Sequence, residues 1–202
     1  MPHLNTGPGE YDLTASALVL RELDGRTHVL VHRHRKRGLL MQPGGHVERA
    51  EDPWAAVAHE LREESGYDLD QLLLLQPVHR IERAEGVAVL PTPVCVDVHP
   101  ITDDHAHTDI VYAFVATSDP AGAPGEDESQ ELYWLPVDGL DGPQTHGDVA
   151  PGLAEIVRYA SDSMKASTLV TVTPPRANTF SVSTWWTSGS ESQQPSSSTT
   201  SR

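Results

Sequence analysis

Between Gly45 and Tyr67 the chain reads GHVERAEDPWAAVAHELREESGY, a stretch that specifies one helix together with both of its ends. Asp52 can accept as N-cap, Pro53 suits a first turn that needs no backbone donor, and Gly66 supplies a left-handed stop. Apolar positions at Trp54, Val57 with Ala58, and Leu61 give the helix a side to bury. At about 100° per residue, Glu63 and Glu64 lie about −60° and about +40° from Glu60, so three carboxylates share one arc of about 100°. Like charges at this spacing cost an isolated helix about 0.2–0.5 kcal/mol per pair. Either this face is solvated, as most charged helix faces are, or something cationic sits against it. Oxygen-only donors at such density suit hard divalent ions, Mg2+ or Mn2+, rather than Zn2+.

The helix sits inside a β-rich chain. Ser16-Ala17-Leu18-Val19-Leu20 and Thr27-His28-Val29-Leu30-Val31 are strand-type runs flanking Asp24-Gly25, which predicts an antiparallel pair joined by a tight turn. Gln42-Pro43-Gly44-Gly45 breaks the chain ahead of the helix. Further strand-like runs lie at 93–98, 110–115 and 131–135, and a last helix is expected from Gly152 to about Lys165, with Leu153, Ile156, Val157 and Ala160 on one face. Residues 1–13 read as a flexible leader and 14–165 as one folded domain. From Ser167 onward half the residues are Ser or Thr, so 166–202 is expected to be a disordered Ser/Thr-rich tail, with Trp185-Trp186 as its one unusual feature.

Composition narrows the partners. With 14 basic and 29 acidic residues among 202, the formal charge is −15, which disfavours non-specific binding to nucleic acid or anionic lipid. Four of the bases nevertheless cluster in His32-Arg33-His34-Arg35-Lys36-Arg37, where Arg33, Arg35 and Arg37 could meet a compact anion such as a phosphate or simply guard a strand end. Apolar runs such as Leu72–Leu75 fall far short of the ~20 residues of a membrane span. No secretory signal is visible at the N-terminus, and the single cysteine, Cys95, allows no internal disulfide; both features predict the cytoplasm. Cys95 itself reads as a core residue, since no basic neighbour would activate its thiol.

The 45–67 stretch resembles the signature of the Nudix (MutT-like) hydrolases: Gly, five residues, Glu, seven residues, then Arg-Glu-aliphatic-any-Glu-Glu-any-Gly-aliphatic. Here Gly45, Glu51, Glu60, Leu61, Glu63, Glu64 and Gly66 stand in register, while His59 replaces the Arg and Tyr67 the aliphatic residue. Pro43-Gly44 ahead of it is usual in that family, and the order of the other elements extends the likeness over about residues 14–165. The resemblance implies an α/β class, a Nudix-type α/β/α sandwich around a mixed β-sheet. It also implies Mg2+-dependent hydrolysis of a phosphoanhydride bond in a small nucleoside diphosphate-linked substrate. Carried over by position, Glu60, Glu63 and Glu64 would be the catalytic metal ligands, with the carbonyl of Gly44 nearby and Glu51 and His59 in support. A further carboxylate often comes from a loop before the last strand in such proteins; Glu126, Glu128 and Glu131 are the candidates, beside the plainer reading of a solvated acidic loop. The alternative to an enzyme is a catalytically weak Nudix-like module that binds a nucleotide or protein partner, motivated by His59.

A second constellation is Asp103-Asp104-His105-Ala106-His107-Thr108-Asp109. His105 and His107 would share one strand face at a spacing that transition metals accept. Neither cysteine nor a distant third histidine is visibly paired with them in the sequence, which favours a strand near a cleft or at the surface over a zinc site.

Overall fold

The computed structural model describes residues 8–142, 148–164 and 167–172. Nine strands form one mixed sheet: β1 (Glu10–Leu23), β2 (Arg26–Arg33), β3 (Leu40–Met41), β4 (Gly44–His46), β5 (Leu72–Pro77), β6 (Cys95–Thr102), β7 (His105–Ala116), β8 (Leu132–Pro136) and β9 (Ser167–Thr171). The central path runs β3-β2-β1-β7-β5-β9, with β4 paired to β1, β6 to β7 and β8 to β2. β1 and β7 are parallel over Glu10–Leu20 and His105–Val115, and the other strand pairs are antiparallel. Asp24 and Gly25, at φ 52° and 76°, make the two-residue turn between β1 and β2 in the twist that a hairpin needs.

Among the described residues two α-helices cover the sheet, one on each face. Along β1 the side chains alternate: Ala15, Ala17 and Val19 join Trp54, Val57 and Leu61 of α1 (Pro53–Ser65), whereas Leu18 and Leu20 join Leu153, Ala154, Val157 and Ala160 of α2 (Leu153–Ser163). Trp54 is wedged against Tyr112 and Phe114 of β7, at centroid distances of 5.2 and 5.9 Å. The two apolar layers are the α/β/α arrangement expected from the sequence. No helix among the described residues is long and apolar enough to cross a membrane.

Both ends of α1 form as their residues dictate. Asp52 accepts a hydrogen bond from the Ala55 amide at 2.8 Å, and Gly66, at φ 75°, donates its amide to the Arg62 carbonyl.

Two expected boundaries are corrected. The strand expected from Thr14 begins at Glu10, within the stretch read as leader; its polar alternation of Asp12, Thr14 and Ser16 hid a buried face. The tail expected from 166 begins with strand β9, which pairs antiparallel with β5 and sets Val170 and Val172 against the α1-side core. Edge pairing draws on backbone groups that any sequence carries, so its Ser/Thr content masked the strand. Trp185-Trp186 lies outside the described residues. A chain truncated after Lys165 should lose about 2 kcal/mol of stability, or about 4–8 °C of Tm, relative to one ending at Val172, measured by thermal melts.

Candidate active site

The glutamate face of α1 is solvated only at Glu63. Glu60 and Glu64 are buried, at 4% and 6% exposure, whereas the Glu63 side chain remains 46% exposed. β4 receives them: the Gly44 amide donates to Glu64 Oε2 at 2.8 Å, and a Cβ on Gly45 would overlap the Glu60 carboxylate. Gly45 therefore does more than break the chain, because only a bare backbone lets the Glu60 carboxylate approach this closely, and Gly44 does the same for the approach of β4 to β1.

The electrostatic cost is plain. Burial, opposed by His59 and reinforced by Glu63, Glu128 and Glu51, pushes the Glu60 carboxyl up to about 7. Burial and the Glu60 charge push Glu64 well above the usual carboxylate range, against the opposing Gly44 hydrogen bond. Glu60 Oε1 is buried with no hydrogen-bond partner, and among the described residues no lysine or arginine pairs with either carboxylate. Such a donor set fits a hard divalent cation, which would repay the burial of two carboxylates and occupy the unpartnered oxygen.

His59 lies on the outer side of this face. Its Nε2 is 3.0 Å from Glu63 Oε1 and its Nδ1 3.4 Å from Glu51 Oε1, so one ring spans the helix and the loop before it. Burial works against its charge, but Glu63, with Glu51 and Glu60, outweighs that and raises its pKa.

Glu60, Glu63 and Glu64 open on a cavity of about 470 Å³, whose lining also includes His34, Arg35, Lys36, Arg37 and Glu128. Of the basic candidates, Arg35 and Arg37 reach it and Arg33 does not. The Arg33 guanidinium donates to the Gly38 carbonyl at 2.6 Å and stands 3.4 Å from Glu131 and 3.7 Å from Asp148. The strand alternation of β2 turns Arg33 away from its neighbour His32. Of the three loop carboxylates, Glu128 lines the cavity; Glu131 is held by Arg33 and by the Tyr133 hydroxyl, and Glu126 is not among the lining residues. Arg35 is itself anchored, donating to the carbonyl of Asp127.

Sequence reasoning missed His32. It is 2% exposed, with Nε2 3.5 Å from Glu64 Oε2, and burial followed by the His34 charge lowers its pKa to about 4, leaving a neutral imidazole beside the carboxylate. The signal lay in the alternation Leu30, His32 along the buried side of β2. His99, His107 and Asp109 also border the cavity. Asp109, buried and accepting from Thr14 Oγ1 at 2.9 Å, has its pKa raised by that burial. Cys95, the single cysteine, is half-buried, and burial raises its thiol away from the reactive range.

An α/β/α sandwich with a glutamate-bearing loop-helix laid against a glycine strand defines a class before any comparison is made. The chain belongs to the Nudix family: the NUDIX domain model matches residues 11–159. Comparison with curated proteins gives no match. Among solved structures, a NUDIX-family hydrolase from Clostridium perfringens is 24% identical with a TM-score of 0.59, covering 75% of this chain and 96% of that one. An Ap4A hydrolase from C. elegans in a binary complex is 17% identical with a TM-score of 0.52, covering 76% and 98%. The NUDIX domain of Shewanella oneidensis NrtR complexed with ADP ribose is 15% identical with a TM-score of 0.55, covering 77% and 89%. These likenesses show the shared fold.

The raised Glu60 pKa has a direct consequence in chelator. The unfolded chain releases this proton near 4.5 and the folded chain near 7, so stability falls as pH rises through that window. Thermal melts in EDTA should show a loss of about 1–3 kcal/mol between pH 5 and pH 8 in the wild type. Glu60→Gln should flatten that part of the profile.

Proposed function

We propose that this Nudix protein is a Mg2+-dependent pyrophosphohydrolase that cleaves a phosphoanhydride bond in a nucleoside diphosphate-linked small molecule, with Mn2+ as an alternative ion. The observation that carries the reading is the buried pair Glu60 and Glu64, with an unpartnered oxygen, in a cavity also lined by Arg35, Lys36 and Arg37. Glu60, Glu63 and Glu64 would hold the ion, with the Gly44 backbone beside them; His59 and Glu51 would brace Glu63. Bound Mg2+ would neutralise the diphosphate and make an attacking water easier to deprotonate.

The remaining work falls to the chain's own groups. Arg35, Lys36 and Arg37 are placed to receive phosphate oxygens, so that an acidic protein presents a locally cationic wall to an acidic substrate. His32, neutral beside Glu64, and Glu128, which also lines the cavity, are two groups able to take or hold a proton. The substrate class is in keeping with the structural relatives, which include an Ap4A hydrolase and a NUDIX domain complexed with ADP ribose. A lone half-buried cysteine fits a reducing, cytoplasmic setting.

The test is product release from a panel of nucleoside triphosphates, nucleotide sugars, dinucleoside polyphosphates, ADP ribose and coenzyme A with Mg2+. Hydrolysis of a phosphoanhydride in any of them supports the reading; binding without turnover across the panel supports a nucleotide-binding module instead. Glu64→Gln should lower turnover at least about 100-fold. In EDTA at pH 8 the same variant should melt no lower than wild type, since it removes a buried carboxylate, which separates lost chemistry from lost folding. His59→Arg should keep or raise turnover, with an advantage that grows from pH 6 to pH 9. The imidazolium braces Glu63 only below its raised pKa, whereas the guanidinium stays charged throughout.

A further inference from the structure

A second set of metal-type donors gathers where β1, β4 and β7 meet. Parallel pairing sets Asp12 opposite His107 and Glu10 opposite His105, and antiparallel pairing sets Thr14 opposite His46. Since alternate residues share a face, Asp12, His46, His105 and His107 fall on the same side of the sheet. One donor atom each from Asp12, His105 and His107 lies within 4.8 Å of the others. Asp12 Oδ2 is 3.4 Å from His46 Nε2 and 3.5 Å from His105 Nε2. The His107 ring lies 4.9 Å from that of His46 and 5.4 Å from that of His105.

These spacings have a specific chemical meaning. Nitrogen and oxygen donors at about 2.0–2.2 Å from a tetrahedral Zn2+ stand about 3.3–3.6 Å from one another. Both Asp12–imidazole separations already equal such an edge, before any ion draws the group inward. Burial adds to the argument: Asp12 is 0% exposed, and the His46 and His105 side chains are 11% exposed. The outer layer is ordered as well, with His99 Nδ1 2.9 Å from Asp97 and its ring 5.5 Å from His107.

We propose that Asp12, His46, His105 and His107 form a transition-metal site of the Zn2+ class, separate from the carboxylate cluster of α1. The donor sets divide the two sites by ion. Three imidazoles with one carboxylate prefer Zn2+, whereas three carboxylates with a backbone carbonyl prefer Mg2+. An ion here clasps the first residues of β1 to β7 and β4, and β4 is the strand that carries Gly44 and Gly45 against Glu64 and Glu60. His46 and His107 also line the cleft, so this site braces one wall of the cavity.

Co2+ is the probe, because in a four-coordinate imidazole-carboxylate site it absorbs visibly. The full-length untagged chain, stripped with chelator, should develop this absorption on addition of Co2+ up to one equivalent and keep it in excess Mg2+. Glu60→Gln/Glu63→Gln/Glu64→Gln should retain the band. His107→Ala and Asp12→Asn should weaken Co2+ binding by more than the ~10–100-fold that loss of an outer partner costs. Should Asp12→Asn fail to fold by circular dichroism, His105→Gln replaces it. Zn2+ should raise the Tm of wild type and not of His107→Ala. Absence of a visible band in wild type, its displacement by Mg2+, its loss in the glutamate variant, or its survival in the histidine variants would each overturn the proposal. Because the readout is spectroscopic, a chain inactive on every phosphoanhydride tested would leave this result intact.

Discussion

The seating of two carboxylates against bare backbone is the constraint around which this molecule is arranged. Glu60 and Glu64 are buried where a helix meets a three-residue strand: Gly45 leaves room for the Glu60 carboxylate, and Gly44, which lets that strand lie close against β1, donates its amide to Glu64. Everything that holds α1 in place also holds these groups: the Asp52 cap, the Gly66 stop, and Trp54 packed on Tyr112 and Phe114 of the central strand. The core thus fixes an arrangement that electrostatics alone would drive apart. Such strain persists only where surrounding packing over-determines it, and it marks the place where binding of a cation returns the cost.

The parallel pairing of β1 with β7 is the second organising feature. It runs eleven residues in register, and the two strands carry apolar residues into both helical layers while leaving polar ones at one end. At that end Asp12, Thr14, His105, His107 and Asp109 share one face of the paired strands. Continuity between the carboxylates of α1, the basic loop after β2 and this polar strand end gives a single cavity with chemically distinct walls.

Local signals were read where they were self-contained. The α1 caps, the Asp24-Gly25 turn and the register of the glutamates all follow from residues within a few positions of one another, and each formed as those residues dictate. The signals that misled were of two kinds. Asp12 looks like a leader residue because its burial depends on a partner about 95 positions away. Ser167–Thr171 looks like tail because an edge strand needs only backbone to pair. His32 was legible in principle as an alternate position on a buried strand, but nothing nearby in the sequence says that a carboxylate from α1 lies against it.

The amino-acid sequence by itself determined the helix, its ends, the three glutamates on one arc and the glycines before them, because helical geometry is a short-range consequence of residue type and spacing. Tertiary structure decided which of those glutamates is buried, which arginines reach the cavity, and which loop carboxylate joins them. It also supplied what His105 and His107 lacked along the chain, an aspartate from β1 and a histidine from β4. The physical reason is the same in each case: charge and coordination act through space over a few ångströms, and only strand pairing sets which distant residues come that close.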